Sequence, residues 1–433
     1  MTLKLCEHGS PPSPLSPLPG EGRGAGARSL VYCQRTHIHL AIHPVDPKRV
    51  LAGAIVMPHG EVSVIEILYS TDGGEHWTRS VLPDTTWAGD PWVAFDAEGR
   101  PAVSLIARDR EGEGLVVWLY TTDTLGGAWS GPVRVGPGDG GSWNQQKIAA
   151  AGSMGDRGGT LYMVGDKWGP RTADDNARGA VGVAVIGDGG RGPVRIDHTQ
   201  ANNTSKSPSA PVVLSDGSVV TLFHESLGVG DAASRGWVGG LWSIASTDGA
   251  RSFGTRNFVA KDLRPGMIAL TADTSRIPNM LYAVWPSTAG AIHVATSDSR
   301  GDRWSAPVPI GPLAEDDIAP LAAATDGQGA VAILWSTTAD APEGSVCRDI
   351  WFTATRDGTT FSSPTRLQDG TSCVVVEGGP TFWVDGVINA TYERFGRGGE
   401  YFGLVGLPDG GFYALWVDAT TGELQLMGRR AEM

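Results

Sequence analysis

The sequence predicts an all-β protein, specifically a β-propeller of four-stranded blades. A strand-turn unit recurs every 50 to 65 residues along the chain, which is the signature of a repeat architecture. No segment shows a sustained helical period with start and stop signals. Hydrophobic residues make up 41% of the 433 residues, enough to bury a sizeable core. Because blades are added radially, a chain of this length is compatible with one domain.

Each unit contains a short turn rich in Asp and Gly. The clearest is Tyr69-Ser70-Thr71-Asp72-Gly73-Gly74-Glu75-His76-Trp77, which follows the apolar run Val64 to Leu68. In such a turn, Ser or Thr and Asp accept hydrogen bonds from main-chain N–H groups, and Gly provides positive φ. The turn is therefore predicted to be a structural clasp. The turn aspartates are Asp72, Asp123, Asp188, Asp248, Asp298 and Asp357.

Apolar runs of strand length flank these turns. Each unit is predicted to open with an inner strand and to continue through Gly or Asp into a second one. Second strands are expected at Val103–Ile106, Val219–Phe223, Leu281–Trp285 and Ala332–Trp335. We count six units with a turn over residues 36–368 and a seventh near 373–433, and so predict seven blades, with six as the alternative. Ser29 to Tyr32 is expected to complete the last blade and close the ring.

The two ends of the chain differ in character. Residues 1–28 form a Pro/Gly/Ser-rich tract without an apolar segment, predicted to be a disordered leader outside the fold. A second interpretation is that a wrongly assigned start codon has replaced a genuine leader with translated upstream DNA. Residues 29–433 are assigned to the propeller.

The four cysteines allow one bridge. Cys347 and Cys373 bracket one repeat, a spacing that suits a disulfide between neighbouring strands; two buried thiols are the alternative. No paired Cys or His spacing typical of zinc is present, and we predict no metal and no cofactor.

Composition excludes several classes of partner. The net charge of −13 repels phosphate backbones, and no concentrated basic face is found, so no nucleic-acid partner is expected. No run approaches the roughly 20 apolar residues of a membrane span. Neutral polymers, small molecules and proteins remain as partners.

The turn motif resembles the Asp-box of bacterial neuraminidases, Ser-x-Asp-x-Gly-x-x-Trp, which Ser70 to Trp77 matches at every fixed position. The resemblance covers about residues 36 to 433 and implies a sialidase-like propeller with its site in the central funnel. Such proteins are typically secreted, so an extracellular or periplasmic location is expected, although no signal peptide is visible in this chain.

The resemblance also implies a set of site residues. Sialidases hold the sugar carboxylate with three arginines and use a tyrosine nucleophile activated by a glutamate, with an aspartic acid as proton donor. The substrate-binding residues implied here are Arg35, Arg264 and Arg394; the catalytic residues are Tyr401, Glu393 and Asp90. Tyr392 is an alternative nucleophile. The Phe/Tyr-Arg-Ile-Pro motif of the family is replaced by Gln34-Arg35-Thr36-His37, which keeps only the arginine.

Each of these residues has a structural alternative. The arginines would otherwise be solvated or pair with nearby carboxylates, Tyr401 would fill a gap between blades, and Asp90 would cap its strand. The leading hypothesis is a glycan-directed propeller, a candidate exo-glycosidase of the exo-α-sialidase type that takes a glycan or glycoconjugate; whether it is active is left open. The alternatives are a non-catalytic scaffold that binds glycan or protein on its face, and a polysaccharide hydrolase with two carboxylates across a groove.

Overall fold

The repeating strands form antiparallel sheets arranged as the seven blades of a β-propeller. The computed structural model describes residues 2–3, 34–57, 64–83, 85, 88–108, 115–135, 142–151, 159–168, 180–187, 194–198, 205–229, 236–264, 267–312, 321–375, 382–384, 388–390, 399, 401–419 and 424–432. Among these residues, no helix is long and apolar enough to cross a bilayer. The predicted fold class and the count of seven blades are confirmed, and six is not the number observed.

Each blade is a sheet in which consecutive strands pair, starting from an inner strand. The first strand of the chain, β1, is Thr2–Leu3. The first three blades are built in chain order from β2 (Gln34–Ile42), β3 (Val50–Met57), β4 (Val64–Ser70) and β5 (Thr78–Ser80); β6 (Ala88–Phe95), β7 (Pro101–Arg108), β8 (Leu115–Thr121) and β9 (Ser130–Arg134); and β10 (Ser142–Ala150), β11 (Leu161–Trp168), β12 (Ala180–Ile186) and β13 (Val194–His198).

The next three blades follow the same plan with two interruptions. In blade 4 two short strands share the inner position, and in blade 6 two short strands share the outer position. Their strands are β14 (Ser205–Pro208), β15 (Val212–Val213), β16 (Val219–Val229), β17 (Gly236–Ser246) and β18 (Asn257–Ala260); β19 (Ala269–Asp273), β20 (Met280–Ser287), β21 (Ala291–Ser297) and β22 (Val308–Pro312); and β23 (Leu321–Thr325), β24 (Val331–Ala339), β25 (Ser345–Thr355), β26 (Thr365–Arg366) and β27 (Ser372–Val375).

A short hairpin, β28 (Phe382–Val384) with β29 (Ile388–Ala390), precedes blade 7, which contains β30 (Gly403–Gly406), β31 (Phe412–Asp418) and β32 (Gln425–Ala431). The outermost strand of blade 7 is β1, which pairs with β32. Residues 1–28 were predicted to lie outside the fold, whereas β1 lies in that tract; a two-residue strand held by main-chain pairing has no sequence pattern to reveal it. Ser29 to Tyr32 lie outside the described residues.

The last repeat begins later in the chain than predicted. The segment near residue 373 was assigned to the seventh unit, but β27 pairs with β25 and so belongs to blade 6. This pairing places Cys347 directly opposite Cys373, and the two form a disulfide.

The core lies between blades rather than within one central mass. The described residues form seven apolar clusters, and each joins two neighbouring blades, the last with the first. Burial decreases outward: β20, a second strand, is almost completely buried, whereas β5 and β9 are largely exposed. A second strand is covered on both faces by adjacent blades, which explains its continuous apolar sequence.

The predicted turns form the expected hydrogen bonds in three blades. Ser70 Oγ donates to Asp72 Oδ1 at 2.7 Å, and Asp72 Oδ1 accepts from the His76 N–H at 2.9 Å. The turns at Asp248 and Asp357 are bonded in the same way.

The turn of blade 5 also differs from the prediction. Here Ser299, rather than Asp298, takes the aspartate position, since its Oγ accepts from the Arg303 N–H at 3.0 Å. Trp304 then stands at the normal spacing, and its Nε1 donates to Gly301 O as Trp77 Nε1 does to Gly74 O, both at 3.0 Å.

Candidate functional site

Three consecutive inner strands carry the same irregularity. Pairing is interrupted between Thr36 and His39 in β2, between Gly89 and Trp92 in β6, and between Asn144 and Lys147 in β10. The first unpaired residue of each interruption has a left-handed backbone conformation: His37 (φ 54°), Asp90 (φ 44°) and Gln145 (φ 50°). Bulges redirect side chains, and strained non-glycine residues concentrate at functional sites. Blades 1 to 3 therefore present polar side chains to the hub at one level.

The residues that resume pairing after each bulge form a row across the three blades. His39 stacks on Trp92, with ring centroids 3.6 Å apart and an interplanar angle of 24°. Lys147 Nζ lies 5.7 Å from the Trp92 ring centroid, within the range of a cation–π contact. His39, Trp92 and Lys147 are thus equivalent positions in successive blades that touch one another.

Tyr401 joins this row from blade 7. It lies just before β30 and is 5% exposed. Its ring centroid is 5.3 Å from that of His37 and 5.7 Å from that of Trp92, both edge-on. Lys147 Nζ lies 5.8 Å from the Tyr401 ring. The tyrosine therefore closes a ring of aromatic and cationic groups at the hub.

Asp90 lies on the edge of this group. Its Oδ1 is 3.9 Å from His37 Nε2, and its side chain is 17% exposed, which leaves it open to a ligand. The other ring nitrogen, His37 Nδ1, is 3.0 Å from Thr36 Oγ1. Gln146 Nε2 donates to the main-chain oxygen of Asp90 at 2.5 Å, which fixes the bulge.

Lys147 places a positive charge in the hub. The residue is 3% exposed, and its ammonium donates to Pro208 O at 2.8 Å and to Gln145 O at 3.3 Å. Burial first, and then the Lys147 charge, lower the pKa of His39 to about 3 and that of His224 to about 4. Both imidazoles are therefore neutral at physiological pH. His39 Nδ1 accepts a hydrogen bond from the Val93 N–H, which requires that this ring nitrogen carry no proton.

The segment leading into Tyr401 is fixed against blade 1. Gly399 has φ +81°, and a Cβ there would lie 2.6 Å from both the main-chain nitrogen and Nδ1 of His37. Only glycine allows this approach. Arg348 of blade 6 donates through Nη1 to Gly399 O at 3.5 Å. Tyr401 itself contacts His37 of blade 1, Trp92 of blade 2 and Lys147 of blade 3.

The implied site residues take different places. Tyr401 and Asp90 both contact His37. Arg35, 2% exposed, forms a buried ion pair with Glu66, from Nε to Oε2 at 2.6 Å and from Nη2 to Oε1 at 3.3 Å. Arg264 lies half-buried before blade 5, and its N–H donates to Pro286 O. Glu393 and Arg394 lie outside the described residues.

Sequence reasoning missed part of the hub. His37, His39 and Trp92 carry no catalytic or substrate-binding assignment in the prediction from the sequence. The available signal was the alignment of inner strands on a common phase, which sets His39, Trp92 and Lys147 at one position.

One group of three metal-ligating side chains comes together in the described part of the chain, and it lies away from the hub. Ligand atoms of Asp72, Glu75 and His76 are within 4.8 Å of one another in the turn after β4. His76 Nδ1 is already 2.7 Å from Asp72 Oδ2, so this geometry is explained by the turn itself.

No protein-family model matches the chain, and no curated protein matches it. Among solved structures, it is similar to a protein of unknown function from Dyadobacter fermentans, with 12% identity and a TM-score of 0.48 over 93% of this chain and 95% of that one. It is also similar to a leech intramolecular trans-sialidase, with 13% identity and a TM-score of 0.44 over 92% of this chain and 68% of that one. A third similar structure is an α-L-arabinanase from Penicillium chrysogenum, with 14% identity and a TM-score of 0.44 over 70% of this chain and 89% of that one. These identities assign no family.

Proposed function

We propose that this chain is a glycan-directed propeller whose hub is an exo-glycosidase site of the sialidase type. The observation that carries the proposal is the convergence of Tyr401, His37 and Asp90 beside Lys147, at the level where three strained bulges meet. Four blades contribute to this group, as expected for a site at the centre of a propeller.

The proposed chemistry is a double displacement. Tyr401 attacks the anomeric carbon, with Glu393 as the base that takes its proton, and forms a glycosyl-enzyme. Asp90 protonates the leaving oxygen and then deprotonates the water that releases the sugar. The exposure of Asp90 suits contact with a leaving group, and His37, 3.9 Å away, orients the carboxyl.

Recognition of the sugar carboxylate is proposed to combine arginines with the hub lysine. Arg264 and Arg394 are proposed to form the clamp, whereas Arg35 is neutralised by its buried ion pair with Glu66 and takes the structural alternative. Lys147 adds a positive charge close enough to His39 and His224 to help lower the pKa of both, in a buried setting where an anion gains more than in water.

Turnover of a panel of fluorogenic sialosides and other aryl glycosides tests the proposal. We expect Tyr401→Phe and Asp90→Asn each to lower kcat/KM by about 100-fold or more, in the range of acid-base and nucleophile losses. Tyr69→Phe removes a hydroxyl from the interface of blades 1 and 2 and is the matched control, with unchanged kinetics. The proposal fails if no glycoside is turned over, or if both hub variants retain wild-type rates.

Two further features belong to the proposal. The Ser/Thr-Asp turns are assigned as Asp-boxes, with a structural rather than catalytic role, because their aspartates are engaged by turn N–H groups. The location is proposed to be extracellular or periplasmic, which the Cys347–Cys373 disulfide supports. Cell fractionation that recovers the chain in the cytoplasm with both thiols reduced would contradict this location.

A further inference from the structure

A cleft lies between blades 7 and 1, at the opposite end of β2 from the hub bulges. Its volume is about 670 Å³, within the range of small-ligand sites. One rim comes from blade 1, with Lys48 before β3 and Glu75 after β4; the other comes from blade 7, with Asp409 before β31 and Arg430 in β32. None of these residues belongs to the hub.

The base of the cleft is pre-formed. Tyr413 of blade 7 is buried and donates its hydroxyl to Gly74 O of blade 1 at 3.2 Å. A Cβ on Gly74 would lie 2.7 Å from the Tyr413 ring, so glycine is required for this approach. The Gly73 N–H donates to Lys48 O at 2.9 Å, which ties the two parts of the blade 1 rim together. Little conformational freedom is therefore lost when a ligand binds.

The charges around the cleft balance. It is lined by three cationic and three anionic side chains, namely Lys48, Arg429, Arg430, Asp72, Glu75 and Asp409. Two of the carboxylates are already engaged, Asp409 with Arg430 at 2.8 Å and Asp72 with His76 at 2.7 Å. Neither sign of charge dominates, so the lining does not favour an anionic or a cationic ligand.

The remaining surface is apolar, with Leu407 and Pro408 on one side and Pro47 on the other. Charged donors and acceptors beside apolar surface suit a molecule with hydroxyl groups on its edge and C–H groups on its face. We propose that this cleft is a second, non-catalytic carbohydrate site that binds a short neutral oligosaccharide. It is independent of the hub and of the reaction proposed there.

Calorimetric titration of the full chain tests this site. The probes are neutral trisaccharides of glucose, galactose, mannose and arabinose, with sialyllactose and inorganic phosphate as charged comparisons. The rim variant Lys48→Ala/Glu75→Ala changes two exposed side chains and leaves the Lys48 main-chain bond intact. We expect it to bind a neutral trisaccharide at least about 10-fold more weakly, the loss of one to two charge-assisted hydrogen bonds.

The matched control is Lys261→Ala/Glu343→Ala, which makes the same charge change at exposed residues outside the cleft and is expected to bind normally. Tyr401→Phe is expected to keep trisaccharide binding whether or not it loses turnover, which separates this site from the hub. The proposal is overturned if no neutral trisaccharide binds, if the charged probes bind more tightly, if both double variants weaken binding equally, or if Tyr401→Phe abolishes it.

Discussion

At the residue scale, three non-glycine residues sit in the left-handed region at equivalent places in blades 1 to 3: His37, Asp90 and Gln145. This conformation costs roughly 1–2 kcal/mol for a residue with a Cβ. Asp90 precedes Pro91, which restricts its backbone further. Glycine would relieve such strain, so its absence at these three positions is the reason for proposing a functional site at the hub.

Gln145 allows this strain to be measured. Its Oε1 is buried and has no hydrogen-bond partner among the described residues, so Gln145→Gly removes both an unfavourable φ and an acceptor without a partner in that part of the chain. We expect the free energy of unfolding to rise by about 1 kcal/mol, measured by urea denaturation. Lys147 keeps its bond to the main-chain oxygen of residue 145.

The control is Asn144→Gly at the preceding position, which has no positive φ and whose Oδ1 accepts from the Gln145 N–H at 3.0 Å. This variant should lose stability. If Gln145→Gly also lost stability, the bulge would be held by favourable side-chain contacts and the strain argument would be wrong.

The hub residues differ in how far the sequence could identify them. Tyr401 and Asp90 follow from the resemblance to sialidases, which implies a tyrosine nucleophile and an aspartic acid as proton donor. His37, His39 and Trp92 were missed because a bulge breaks the alternation of period two that makes strand faces readable. The Arg35 partner was also unforeseen: Glu66 lies 31 residues away on the third strand of the blade, and a pairing across a sheet leaves no local signal.

At the scale of the element, the turns after the third strands work through side chains as much as through glycine. Backbone hydrogen bonding from His76, and then the Ser70 hydroxyl, hold the pKa of Asp72 below its ordinary value of 3.8. Turn N–H and hydroxyl donors lower the pKa of Asp248 and Asp357 in the same manner. The turn therefore depends on an ionised carboxylate.

A depressed carboxyl pKa makes the contribution of Asp72 pH-dependent. The stabilisation is fully present above pH 3.8 and falls progressively as the pH drops below that value, because the unfolded chain then binds a proton at Asp72 that the folded turn does not. Asp72→Asn is expected to lower Tm at neutral pH, and the difference from wild type should shrink as the pH falls, when followed by calorimetry between about pH 2 and 7.

Glu75→Gln removes a neighbouring exposed charge in the same turn and should leave Tm unchanged. A Tm difference for Asp72→Asn that stayed constant down to the lowest pH would show that the charge of the turn carboxylate is not what stabilises it.

The turns also show where motif reading is limited. Asp298 was predicted as the turn aspartate of its unit, yet Ser299 occupies the hydrogen-bonding position. A hydroxyl accepts the same N–H bond as a carboxylate, so the geometry survives a change of residue that a motif search cannot follow. The correct spacing of Trp304 was the signal that could have revealed it.

At the scale of the whole molecule, stability is distributed over seven blade interfaces, one apolar cluster for each in the described part of the chain. The sequence could predict this architecture because the turn recurs six times and the apolar strand unit seven times, and each repetition supports the others. It could not predict how the ring closes, since the outer strand of blade 7 is a two-residue segment paired through its main chain.

The seam between blades 7 and 1 tests this closure. Tyr413→Phe removes the hydroxyl that donates across the seam to Gly74 O. The Gly74 oxygen keeps its bond from Trp77, so we expect a loss of about 1 kcal/mol in the free energy of unfolding, measured by urea denaturation. Tyr69→Phe, at the next interface, is the matched control and should unfold like wild type. Equal stability of Tyr413→Phe and wild type would mean that this bond does not help to hold the ring closed.

Covalent trapping tests the central assignment, a glycan-processing hub built around Tyr401, most directly. A fluorinated sialosyl fluoride slows breakdown of a glycosyl-enzyme, so the intact mass of the wild-type protein should rise by one glycosyl unit. Peptide mapping should place that unit on Tyr401, and Tyr401→Phe should remain unlabelled. An unlabelled wild-type protein, or a label on any other residue, would contradict the assignment.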